Sequence, residues 1–151
     1  MALKSDRVEK LTDISFFMNT VAERGGVVSV VSTGAGVSMD DANAVVGYAA
    51  VASGAKPVGV LLNDVVNLDL TRQHINWHKD EVQLGGKVTV LRQGHVTTNM
   101  LVSGVTPSAG DSAYVDANGL IGTSSTNAVK VGQFLSAKDA DGYAKVSVNI
   151  A

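Results

Sequence analysis

At the end of the chain Tyr143, Lys145, Ser147 and Asn149 alternate with Ala144, Val146, Val148 and Ile150. That period of two predicts a strand with one buried face. Asp141-Gly142 precedes it and Asn118-Gly119 lies upstream. Both dipeptides take positive φ at little cost, so both predict hairpin turns. Residues 26–32 and 58–62 are apolar on both faces and read as short buried strands. Gly85-Gly86 opens a strand over residues 87–92, and Gly94 predicts a turn into residues 95–102. Residues 104–110, with Pro107, form a loop leading into the C-terminal module. Residues 39–53 stay ambiguous: Asp40-Asp41 suits a helix start, whereas residues 45–51 suit a strand.

Residues 1–24 are patterned differently. Val8, Leu11, Ile14, Met18 and Val21 recur at three- and four-residue spacing, Asp6 would cap a helix, and Gly25-Gly26 would stop it. Against a helix, Ile14, Phe16 and Phe17 crowd both of its faces, which favours an extended stretch over residues 11–17. The segment is either a helix packed on the domain or an arm of apolar residues that orders on a partner. The chain divides into an N-terminal arm, residues 1–24, and a single β-rich domain, residues 25–151. The expected fold is mainly β, a small β-barrel or β-sandwich with at most one or two short helices.

Composition sharpens this. A chain of 151 residues suits one domain able to bury a core without disulfides, and it has no cysteine. Abundant Val, backed by Thr and a few Ile, with 16 glycines and 2 prolines favours strands joined by tight turns. The net charge of −2 offers no basic field for nucleic acid. No uncharged apolar run approaches the about 20 residues of a membrane-spanning helix, and the first ten residues are too polar for a secretory leader. Synthesis in the cytoplasm, with no nucleic-acid or membrane partner, is the expectation.

Candidate chemistry is thin. Gly34 and Gly36 follow a strand, but Met39 stands where a dinucleotide turn requires a third glycine. His74 and His78 are four apart, yet Ile75 occupies the place of a metalloprotease glutamate, and a third ligand would come from Asp69, Asp80 or distant His95. Asp116 to Gly119 and Asp139 to Gly142 open like calcium loops but lack the later glycine and glutamate. No Gly-x-Ser-x-Gly occurs. We therefore expect no catalytic residue, no cofactor and no metal ligand. The candidates are contact residues: Leu11, Ile14, Phe16, Phe17 and Met18 in the arm, and Arg72 and Trp77 in the polar segment 67–83. Trp and Arg are enriched at interface hot spots, although Trp77 would equally serve to cap the domain's own core.

Four stretches carry a resemblance. They are residues 57–66 (Pro-Val-Gly-Val-Leu-Leu-Asn-Asp-Val-Val), residues 85–91 (Gly-Gly-Lys-Val-Thr-Val-Leu) with Gly94, residues 110–119 (Gly-Asp-Ser-Ala-Tyr-Val-Asp-Ala-Asn-Gly), and residues 131–146, Val-Gly-Gln-Phe through Tyr-Ala-Lys-Val. Together they resemble the capsid decoration, or cement, proteins of tailed bacteriophages. The resemblance implies a β-tulip-like domain, often trimeric, on the capsid exterior. Its partners would be the major capsid protein and copies of itself, most simply as a homotrimer, and it would have no enzymatic activity. Two other readings are another virion part (tail-tube, head-completion or fibre-base protein) and a small metal- or carbohydrate-binding β module.

Overall fold

The computed structural model describes residues 2–32, 44–67, 71 and 81–150. Their elements are β1 (Val8–Met18), β2 (Val27–Ser32), β3 (Val45–Gly47), β4 (Pro57–Leu61), β5 (Asp64–Val66) and β6 (Glu81–Gln83). There follow β7 (Lys87–Thr98), β8 (Ser112–Val115), β9 (Ile121–Gly122), β10 (Lys130–Phe134) and β11 (Ala144–Asn149). A single 3-10 turn, Ala117–Gly119, is the helical element among the described residues. The domain is mainly β, as the patterning predicts.

The long strand β7 organises everything else. Along one edge it pairs antiparallel with β1, from Val8↔His95 to Phe17↔Lys87. Its other edge is divided, with Val90 and Leu91 pairing with β4 and residues 93–98 with β11. β1 also pairs in parallel with β3, through Phe17↔Val45 and Met18↔Val46. The order β1-β3-β2-β4-β7 thus returns to β1 and closes a small barrel. From β7 the order continues β11-β10-β8-β9, and a parallel bridge between Leu101 and Ile121 ties β9 to the chain just past β7. Two rings of strands therefore share β7.

Each ring has its own core. Met18, Val28, Val46, Leu61, Val65, Val88 and Val90 fill the first. Leu91, Val96, Val115, Ile121, Val131, Phe134, Val146 and Val148 fill most of the second. β2 and β4 serve both, since Val27 and Val60 face one core while Val28 and Leu61 face the other. Burial on both faces is why these strands read as unbroken apolar runs. β11 has one buried face, and its residues alternate as predicted.

The predicted turns differ in detail. Asn118 and Gly119 both have positive φ and join β8 to β9, with Asp116 accepting a hydrogen bond from the N–H of Ala117. Gly142 also has positive φ, but the connection from β10 to β11 spans residues 135–143. Asp139 organises that longer loop by accepting from the N–H groups of Asp141 and Tyr143.

One expectation is corrected. Gly94 does not turn the chain; it lies inside β7, where a Cβ would collide with the carbonyl oxygen of Val8 on β1. Glycine is needed there for close passage of two backbones. Of the two readings of the first segment the extended one holds, over the longer stretch Val8–Met18. Register shifts at residues 9–11, 11–12 and 13–16 break the alternation of β1 and imitate a three-residue period. Of the ambiguous stretch, residues 45–47 are a strand, while Asp40-Asp41 lies outside the described residues.

Candidate functional site

The chain meets β7 twice over in its first 18 residues. Lys4 N–H donates to the carbonyl of Thr97 and Asn99 N–H to that of Ala2, at 2.9 and 3.0 Å. Leu3 is buried in the second core, the Lys4 ammonium sits 4.4 Å over the ring of Tyr143, and Asp6 lies 4.0 Å from Lys145. Residues 2–6 thus fasten to the second ring, and β1 then closes the first. The expected arm lies along the domain over this whole length.

β1 has one edge against β7. Its opposite edge meets β3 only at Phe17 and Met18, so from Val8 to Phe16 it has no strand partner among the described residues. Such an edge presents backbone donors and acceptors to whatever lies beside it. Its side chains are unusually apolar for that position: Val8, Leu11 and Ile14 are 51%, 47% and 65% exposed. The charged residues between them balance. Glu9 pairs with Arg7 at 2.7 Å, and Lys10 is exposed. The Asp13 carboxylate is held below the usual range, first by the Ser15 hydroxyl, against a small burial penalty, and then by the Ser15 N–H and the Arg92 guanidinium.

The candidate contact residues therefore separate. Leu11 and Ile14 lie on the open edge. Phe16 is half-buried against the first core, and Phe17 is half-buried with the Lys87 ammonium 5.4 Å from its ring. Met18 is fully buried, part of the chain's own core. Arg72 and Trp77, with His74 and His78, lie outside the described residues, as do Gly34, Gly36 and Met39. The flanks of the polar segment are described: β5 and β6 pair in parallel, Asp64↔Glu81 to Val66↔Gln83. A bridge between Ala22 and Val65 joins this small sheet to the rest.

Val8, which the three- and four-residue spacing sets on a helix face, is a further apolar residue exposed on β1. Beside it a shallow groove is lined by Val8, Lys10, Gln93, Gly94, His95, Ser147, Val148 and Asn149. That lining holds no carboxylate to work against its lysine or histidine, so it offers hydrogen bonding and apolar contact. Among the described residues, no group of three or more His, Cys, Asp or Glu is placed to hold a metal ion.

The sequence matches the structural cement protein family (E217 gp24/Pam3 gp6) over residues 9–149, and the chain belongs to that family of phage capsid cement proteins. Its role is thus a structural one in the virion, and membership in the family implies a non-enzymatic function. No curated protein matches the chain.

Proposed function

We propose that this protein binds the exterior of the assembled phage capsid and holds neighbouring major capsid subunits together. The observation that carries this reading is the match to structural cement proteins across residues 9–149. The exposed apolar edge at Val8, Leu11 and Ile14 supports it, because a cement protein acts through distributed contact surface. Binding only to the assembled shell stabilises that shell by mass action, and repetition over the lattice multiplies a modest affinity per copy. The protein works as a homo-oligomer, for which the resemblance to decoration proteins implies three-fold symmetry. Arg72 and Trp77, in the polar segment between β5 and β6, are assigned to the contact with capsid protein. The protein is made in the host cytoplasm and uses neither catalysis nor a cofactor.

The test is a binding titration of purified protein onto heads assembled without it. Saturation at a copy number comparable to that of the major capsid protein, weakened by Arg72→Ala and Trp77→Ala, is expected. Saturation at a few copies per head would point to a head-completion or tail component, and failure to bind would end the proposal.

A further inference from the structure

Asn118-Gly119 is the single Asn-Gly dipeptide of the chain, and Asn118 is exposed. Glycine has no Cβ, so its nitrogen approaches the side-chain amide of a preceding asparagine with little hindrance. The reaction that follows needs only water. The Gly119 nitrogen bonds to Cγ of Asn118 and gives up its proton, and the side-chain nitrogen leaves as ammonia. A five-membered succinimide ring remains. Water opening the ring at Cγ gives aspartate; opening at the main-chain carbonyl gives isoaspartate, with the chain continuing through Cγ.

The fold holds the pair away from this reaction. Ring closure requires the Gly119 nitrogen to eclipse Cβ of Asn118 about the Cα–C bond. With φ 59° and ψ 26° at Asn118, the tetrahedral geometry of Cα turns that nitrogen nearly opposite to Cβ. Several contacts keep ψ there. Leu120 N–H donates to the carbonyl of Ala117 at 3.3 Å, closing the turn, and Asn118 N–H donates to the carbonyl of Ala49 at 2.6 Å. Gly119 is buried, and an added Cβ would overlap the Tyr48 ring and the Val27 carbonyl oxygen. Tyr48 is fixed in turn, because its hydroxyl donates to the carbonyl of Glu23 and accepts from the N–H of Gly26. We propose that Asn118 is a deamidation site that the native fold keeps silent, reacting only when the turn comes off Ala49 and Tyr48. Isoaspartate makes the change one-way. It inserts a carbon into the main chain beside Gly119, where there is no room for even one more. The β8–β9 hairpin, paired through Tyr114↔Gly122 and Val115↔Ile121, then cannot close on its original contacts. A transient local opening is thereby recorded as a permanent covalent change.

Peptide mapping by mass spectrometry, with isoaspartate quantified in the same digests, reads the rate at Asn118. Wild-type protein is incubated at mildly alkaline pH, folded in buffer and unfolded in urea. Conversion should be about tenfold slower or more in the folded protein, because it proceeds only through the opened fraction. Tyr48→Ala removes the ring that packs on Gly119 and both hydroxyl links, so its folded form should convert about threefold faster than wild type or more. Tyr48→Phe keeps the ring and loses only the hydroxyl links; it should also convert faster than wild type, and it keeps the test decisive if Tyr48→Ala does not fold. Circular dichroism establishes folding in each case. Equal rates in folded and unfolded wild type overturn the inference, as do folded Tyr48 variants that convert no faster than wild type. Protein carrying isoaspartate at this position should melt below unconverted protein after refolding, and coincident melts overturn the one-way step.

Discussion

Gly132 sits in β10, between β8 and β11, at a place where two backbones pass unusually close. A Cβ added there would overlap the carbonyl oxygen of Ser147 outright, lying 2.8 Å from its carbon and 3.2 Å from Cα of Val148. All three are main-chain atoms of the neighbouring strand, so no side-chain rotation relieves the clash. Gly132→Ala must therefore push β11 away at Ser147, loosening the pairs Gly132↔Val148 and Gln133↔Ser147. Overpacking of this kind costs about 1–3 kcal/mol, and each weakened hydrogen bond adds about 1 kcal/mol. We expect a loss of about 3 kcal/mol, a large share of the about 5–15 kcal/mol that stabilises a domain. At about 2–4 °C per kcal/mol for a chain of this size, Tm should fall by about 10 °C. Gly54→Ala is the control: φ there is +74°, and nothing lies within 4 Å of the new Cβ. It carries only backbone strain, on the order of 1 kcal/mol. Parallel thermal and urea melts read both variants. A Gly132→Ala protein that melts with the wild type, or above Gly54→Ala, would refute the close passage of β10 and β11 and with it the second ring.

Three further outcomes follow from the same geometry. Val148→Asp would bury an unpaired carboxylate in a position that is 1% exposed and should cost several kcal/mol, or abolish soluble expression; an unchanged melt would remove β11 from the core. Met18→Ala should cost about 2–5 kcal/mol as a fully buried truncation, while Ile14→Ala, on the open edge, should change stability by less than about 0.5 kcal/mol; equal losses would contradict the division of β1 into an edge and an anchor. The Asp13 carboxyl is depressed below its ordinary value of 3.8, so its stabilising contribution is present above that pH and is lost as pH falls through the depressed value. Urea midpoints of wild type and Asp13→Asn should therefore differ at neutral pH and converge in strong acid; a gap that widens on acidification would reverse the sign of the assignment.

Much of the fold was legible locally. β11 has one wet and one dry face, so Val146 and Val148 announce themselves by alternation. β2 and β4 lie between two cores and show unbroken apolar runs instead. What escaped local reading depends on distant chain. Gly94 looks like a turn residue because a lone glycine in a strand commonly marks one, yet its role is set by Val8, far upstream. Closure of the first barrel rests on pairs such as Phe17↔Lys87, which no local pattern encodes. β1 was legible in part: Ile14, Phe16 and Phe17 crowd both faces of a helix and point to extended chain, while its register shifts give the strand the spacing of a helix. The candidate contact residues of the first segment divide by burial. Leu11 and Ile14 stood out as apolar residues in an arm and are exposed, whereas Met18, from the same apolar series, anchors that strand in the core.

The central claim, that this chain cements the outside of a phage capsid, is tested most directly by imaging intact heads with and without it. The account predicts added density on the exterior of heads that contain the protein, repeated over the lattice and spanning the seams between neighbouring major capsid subunits. It predicts that this density disappears from heads assembled in its absence. Density confined to a single vertex or to the tail, or heads whose exterior is the same in both preparations, would contradict it.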